Sequence, residues 1–257
     1  MNRIIAIVNR KGGVGKTTTA VNLAATMSAA GKRTLLVDFD PQGNATTAFG
    51  VQKDNGKPNV YDLLSGRTSL REAVQPIIGD GQLSIIPSTA DLSGAEVELV
   101  NTRNREFRLR ERLKSGERDF DLILIDCPPS LGLLTVNALA AAQGALIPLQ
   151  CEFYAMEGLS QVLKTIEIIQ QSIHTALEVE GILLTLFEEN NPRNLVIAQE
   201  VRRHLDALIL PIVIPRDPFL GAAPGFGRPG VWHHPWSPGS MAYLNLTTEM
   251  LLKERNA

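Results

Sequence analysis

Several things are scarce in this chain, and each scarcity excludes something. Its 257 residues include only two cysteines, Cys127 and Cys151. Two thiols so far apart cannot build a disulfide framework or a CxxC metal site. Both fall near the ends of apolar runs, which predicts buried, reduced thiols in a reducing compartment. No apolar run approaches the ~20 residues a membrane-spanning helix needs. The first such run begins at Ile4, so no secretory leader is expected, and a cytoplasmic location is. Excess charge of one sign is lacking as well. The formal net charge is -2, which excludes a protein basic in bulk while leaving room for a local basic patch. There is no internal repeat, low-complexity tract or evident linker, so one domain over residues 1–257 is expected.

What remains is an ordinary globular composition, 44% apolar and 20% charged, in a chain long enough for a large buried core. Short continuous apolar runs predict buried strands: "IIAIVN" from Ile4, "TLLVDFD" from Thr34, "LSIIPS" from Leu83, "DLILIDCP" from Asp121, "ALIPLQC" from Ala145, "GILLTLF" from Gly181 and "IVIPR" from Ile212. Their continuity suits parallel strands covered on both faces. Helical patterns separate most of them, over 16–30, 92–114, 133–142, 156–171, 195–208 and 241–252. This alternation predicts an α/β fold, a doubly wound and mostly parallel sheet with helices on both faces. Ligands of such sheets bind at the carboxyl ends of strands.

The first strand runs into "NRKGGVGKTTT". Gly15, Lys16 and Thr17 fit the end of the phosphate-binding loop G-x-x-x-x-G-K-[ST], but Arg10 stands where its first Gly belongs, followed by Lys11, Gly12 and Gly13. Glycines let backbone N–H groups curl around phosphate oxygens, and the next helix aims its positive end at them. Lys16 supplies a point charge, and the Thr17 hydroxyl can ligate Mg²⁺. Thr18 follows on the same first turn.

Two further strand ends carry acids. In "VDFDPQGN", Asp38 and Asp40 share a face if the strand's period of two continues through them. One can hold a metal-bound water and the other can orient the attacking water; alternatively they are solvated turn carboxylates before Pro41. The strand 122–125 ends in Asp126 before Cys127-Pro128-Pro129, the place of the Mg²⁺-side carboxylate of a nucleoside triphosphatase. Thr17, Asp38 and Asp126 form the expected metal set of an Mg²⁺- and ATP-dependent hydrolase.

"KGGVGKTTT", "LLVDFDPQGNAT", "GAEVELV", "LILIDCPPSLGLLTVNAL", "PLQCEFYAMEGLSQ" and "SPGSMAYLNL" together resemble the ParA/Soj family of chromosome and plasmid partitioning ATPases, within the deviant P-loop class that includes MinD and nitrogenase iron protein. The resemblance reaches from the N-terminus to about Met250. It implies an ATP-dependent face-to-face homodimer. Lys11 matches the signature lysine that reaches the partner's nucleotide. Gly12 matches the glycine at which the two loops approach. Asp40 matches the residue that orients the hydrolytic water. It further implies non-specific binding of double-stranded DNA, a ParB-like activator protein, and association with the nucleoid. The family's iron-protein and membrane-cycling roles are not expected: the cysteines do not match a cluster's ligands. The last helical stretch also has no basic face.

Residues 214–240, "IPRDPFLGAAPGFGRPGVWHHPWSPGS", hold both tryptophans, an adjacent His pair and many Pro and Gly residues. The resemblance makes this the adenine-side and DNA-side rim, so its Pro and Gly read as turn chemistry. Pro215 and Asp217 are then expected beside adenine, and Arg216 against DNA, with Arg193 as a second DNA contact in a slightly lengthened loop. The segment also departs from the family. Asp217 replaces an asparagine, Phe219 and Trp236 replace arginines, Ala222 replaces a glutamate and His234 replaces an acid. Lost arginines weaken phosphate contact. Residues 101–118, with Arg103, Arg105, Arg108, Arg110, Arg112, Lys114 and Arg118 against Glu106, Glu111 and Glu117, are either compensation or a solvated helix face. The departures also suit a positioning ATPase that holds a protein cargo, since exposed aromatics favour protein contacts.

Overall fold

Alternation hidden inside continuous apolar runs sets the architecture. The computed structural model describes residues 3–53, 56–78, 82–174 and 176–256, without the side chains of Arg255 and Asn256. The strands are β1 (Arg3–Ile7), β2 (Thr34–Asp38), β3 (Gln75–Ile78), β4 (Leu83–Ile86), β5 (Leu122–Asp126), β6 (Gly144–Gln150), β7 (Glu178–Phe187) and β8 (Ile209–Pro215). The helices are α1 (Lys16–Ala29), α2 (Asn44–Ala48), α3 (Val60–Ser65), α4 (Leu70–Ala73), α5 (Leu92–Leu99), α6 (Arg108–Leu113), α7 (Leu133–Ala141) and α8 (Ala155–Ser172). After them come α9 (Pro192–Leu205), α10 (Pro218–Ala222), α11 (Gly230–His233) and α12 (Pro238–Asn256).

All eight strands join one sheet in the order β3-β4-β2-β5-β1-β6-β7-β8. Every pairing is parallel except β3 with β4. Along β1, Ile4 and Ala6 face one core while Ile5 and Ile7 face the other. Along β5, Ile123 and Ile125 oppose Leu122 and Leu124 in the same way. The first core is covered by α3 to α9, the second by α1, α2 and α10 to α12. On α8 the buried residues Ala155, Leu159, Val162, Ile166 and Ile169 keep the three-and-four spacing of one helical face. The expected doubly wound α/β sheet is therefore present, with all seven predicted strands.

Two expectations need correction. β3 was not foreseen. It is a short antiparallel edge strand with Pro76 inside it, and proline is tolerated at a sheet edge because no ladder donor is needed there. The helix expected over 92–114 is broken into α5, a 3-10 turn (Arg105–Phe107) and α6, with Asn104 left-handed at φ 55°. Asn137 of α7 holds that break: its Nδ2 donates to Arg105 O at 2.8 Å and its Oδ1 accepts from Leu109 N at 3.2 Å.

The last helix docks on its own sheet. Ala242, Tyr243, Leu246 and Met250 of α12 are buried in the second core. Tyr243 Oη meets Thr19 Oγ1 at 3.1 Å and Thr247 Oγ1 meets Thr26 Oγ1 at 2.6 Å. Among the described residues, no helix is long and apolar enough to cross a membrane.

Candidate active site

The order of the strands reverses around β1, whose neighbours are β5 and β6, and this is where a doubly wound sheet opens its crevice. The loop from Val8 to Gly15 fills that point. Gly13 and Gly15 sit at φ 75° and 84°, a region open mainly to glycine. Gly15 N-caps α1 without any side-chain cap, so the first-turn N–H groups remain available for an anion. Thr185 Oγ1 of β7 pins the loop from below by donating to Val14 O at 2.8 Å. Lys16 is buried at 6% exposure and its Nζ donates to Lys11 O at 3.0 Å. Burial lowers its pKa, while Asp126, Cys127 and Asp40 pull it back up.

Three consecutive loop residues are stapled to β6, to α8 and to the turn between them. Asn9 Nδ2 donates to Pro148 O at 2.7 Å. Arg10 donates to Gln161 Oε1, and Lys11 forms an ion pair with Glu152. Nothing in the phosphate-loop pattern points to Glu152. Its only local signal is its position just after the carboxyl end of β6.

The carboxylates lie on the other side of β1. Asp38 and Asp126 are register partners at the ends of β2 and β5, and both are fully buried. Asp38 Oδ2 accepts from Thr46 N at 2.7 Å and Thr46 Oγ1 at 2.6 Å. Burial raises its pKa to about 6 despite those bonds. Asp126 has no hydrogen-bond partner on either oxygen. Burial, then the adjacent Asp38, pushes its pKa well above the usual carboxylate range. The nearby Thr17 hydroxyl favours the charged form without closing a hydrogen bond. The Cys127 thiol is also pushed well up by burial. β2 ends at Asp38, so Asp40 is placed by the turn that follows rather than by strand alternation. Its Oδ1 accepts from Gln42 N at 2.9 Å, and Asp40 is 6% exposed.

A buried, unpartnered carboxylate beside a second carboxylate is costly unless a cation joins them. Asp126 next to Thr17 therefore fits a bound Mg²⁺. Among the described residues no three His, Cys, Asp or Glu side chains converge as a metal cage. Magnesium beside a phosphate loop does not need one, because phosphate oxygens and waters fill most of its octahedron.

A cavity of about 250 Å³ continues from this end of α1. Thr17, Thr18, Asn22, Asn44 and Thr47 form one wall, and Leu220, Pro224, Arg228 and Pro229 form the other. Pro215 and Asp217 do not line it. Pro215 lies in register with Phe187 at the end of β8. Asp217 N-caps α10, accepting from Phe219 N at 2.9 Å, and its other oxygen accepts from Gly239 N at 2.8 Å. Burial pushes its carboxyl up, but bonds from Ser237, Gly239 and Phe219 outweigh this and hold its pKa below the usual range.

Comparison with known proteins accounts for this constellation. A family model described as "AAA domain" matches residues 2–179. The chromosome partitioning protein ParA of Myxococcus xanthus is 47% identical over 254 residues, 99% of this chain and 89% of that protein. The chain belongs to the ParA/Soj family of chromosome-partitioning ATPases. The sporulation initiation inhibitor protein Soj of Bacillus subtilis is 45% identical, covering 97% of this chain and 98% of that one. A solved structure of cobyrinic acid a,c-diamide synthase from Mycobacterium smegmatis, with bound ADP and magnesium, aligns with a TM-score of 0.85 at 35% identity. It covers 98% of this chain and 94% of that chain.

In this ParA/Soj ATPase the two arginines expected to face DNA come together. Arg193 and Arg216 line one cleft of about 1000 Å³, with Glu152, Phe153 and Glu188. Arg216 is ion-paired there, Nε to Glu188 Oε1 at 2.9 Å. Of the positions that depart from the family, Asp217 is buried and the others are exposed. Phe219 is 44% and Trp236 86% exposed. Phe219 packs on His234 and Phe226 on His233, with centroids 3.9 and 4.4 Å apart. The 101–118 segment is not one free basic face: Arg105 pairs with Glu106, and Arg108 and Arg112 bury their Nε atoms.

Proposed function

We propose that this partitioning ATPase binds Mg-ATP between its phosphate loop and the 220–230 wall, dimerises face to face on it, and in that form holds double-stranded DNA non-specifically. The observation that carries the reading is the orphaned Asp126 carboxylate beside Thr17 and Lys16, at the uncapped N-terminus of α1. The backbone of Gly12, Gly13 and Gly15 and the Lys16 ammonium bind phosphate oxygens. Thr17, Asp38 and Asp126 would hold the magnesium, with Thr46 already donating to Asp38 Oδ2. When bound, the ion neutralises phosphate charge and orients the terminal phosphoryl group. Asp40, fixed by its turn, orients the attacking water. Lys11 leaves Glu152 and reaches the partner's nucleotide, as an arginine finger does in trans. Arg216 and Arg193 contact DNA phosphates, a ParB-like protein activates hydrolysis, and the protein works in the cytoplasm on the nucleoid.

Fluorescence anisotropy with random-sequence duplex tests this reading. ATP-loaded protein, and an Asp40→Ala form that retains the dimer, should bind more tightly than nucleotide-free protein. Equal binding in all three overturns the DNA part. A second reading has its own observation. Exposed Phe219 and Trp236, beside an Arg216 already paired with Glu188, suit a protein cargo. Recovery of a partner by wild type but not by Phe219→Arg/Trp236→Arg supports that cargo.

A further inference from the structure

The exposed rim is tied to the nucleotide site at two places that no step above uses. The first tie is α2, the short helix after the Asp40 turn. Its front end is held by Gly43 N donating to Asp40 O at 2.9 Å, and by Asp38 accepting from Thr46 N at 2.7 Å and Oγ1 at 2.6 Å. Its far end meets the rim backbone to backbone. A Cβ on Gly227 would lie 2.9 Å from Gly50 Cα, and one on Gly50 would lie 3.1 Å from Gly227 O. Both glycines are left-handed, at φ 69° and 62°, so neither position accepts a side chain without strain. Beside them Phe49 meets Trp232 edge-on, with centroids 5.6 Å apart.

The second tie is Asn22. Its Nδ2 donates to Thr18 O at 2.8 Å and its Oδ1 accepts from Val231 N at 3.0 Å. One side chain thus joins the first turn of α1, at the cavity wall, to α11. A single helical turn packed at both ends transmits displacement instead of absorbing it, because packed interiors have little compressibility.

We propose that α2 and Asn22 are struts that couple nucleotide occupancy to the position of rim residues 219–236, so the rim's affinity for its partner depends on which nucleotide is bound. The proposal rests on the Mg-ATP reading above. By linkage, a rim ligand must change nucleotide affinity by the same factor. The strongest points of the linkage are Gly50 against Gly227 and Phe49 against Trp232. None of these four residues lines the nucleotide cavity.

The chain has two tryptophans, so Trp236→Phe leaves Trp232 as the sole reporter. Acrylamide quenching of Trp232 is measured with no nucleotide, Mg-ADP and Mg-ATP, while a fluorescent ATP analogue reports binding separately. In the parent, quenching should differ between nucleotide states, and duplex affinity should differ by about 5-fold or more between ATP and ADP. In Gly227→Ala, and in Phe49→Leu should the first variant fold poorly, both differences should collapse while the analogue still binds. A Trp232 signal indifferent to a nucleotide that demonstrably binds overturns the struts, as do variants that keep the full response. If the analogue does not bind the parent at all, the Mg-ATP reading fails and the struts fail with it.

Discussion

Asp38 and Asp126 stand side by side at the ends of β2 and β5, yet only Asp38 is hydrogen-bonded. The difference lies in α2, which offers Thr46 to one carboxylate and nothing to the other. Both carboxyls are raised by burial, Asp38 to about 6 and Asp126 well above the usual range. A carboxyl whose folded pKa exceeds its unfolded value favours folding only while protonated. Stability therefore falls as pH rises from about 4 through the folded pKa values.

Asp126→Asn removes a buried charge that has no partner. It should raise thermal stability at pH 8 by about 1–3 kcal/mol, with the gain shrinking toward pH 4.5. Melting curves across that range check it, and the same variant should lose Mg²⁺-dependent ATP hydrolysis. A gain that is equal at all pH values would show that Asp126 is not the titrating group.

Gly12 and Gly15 should separate folding from dimerisation. A Cβ on Gly12 meets nothing nearer than Pro129 Cβ at 3.9 Å, and Gly12 is not left-handed, whereas Gly15 is, at φ 84°. Gly15→Ala should cost about 1 kcal/mol or more of stability. Gly12→Val should fold normally and remain monomeric with ATP, measured by light scattering. An ATP dimer of normal strength in Gly12→Val removes the close approach of the two loops.

Asp217 should act as a clamp between α10 and α12 and leave nucleotide affinity unchanged. Its oxygens accept from Phe219 N and Gly239 N. Asp217→Ala should cost about 1–3 kcal/mol in urea unfolding, since it uncaps one helix and orphans a buried donor at another. ATP affinity should hold within about 3-fold if the carboxylate does not touch the base. A loss of about 100-fold or more would place it against adenine.

Phe219→Arg/Trp236→Arg should restore phosphate contact at the rim. The slope of log affinity for duplex against log salt should steepen by about 2, close to 0.9 per added contact. An unchanged slope would show that these side chains face away from DNA.

The phosphate loop, the seven parallel strands and the three aspartates were legible because their signals are local. A strand's burial shows in its own run of Ile, Leu and Val, and a phosphate turn shows in its own glycines. Acids at strand ends follow once the strands are known. The sequence by itself thus determined the sheet and the edge at which the phosphate loop and the acids meet. Tertiary structure alone decided the rest. Asn137 breaks a helix it is not part of. Glu152 and Glu188 claim Lys11 and Arg216 from distant strand ends. Gly227 meets Gly50 backbone to backbone. In each case a backbone or charged group finds a partner far away in the chain, and no local pattern of propensity or hydrophobic period carries that information.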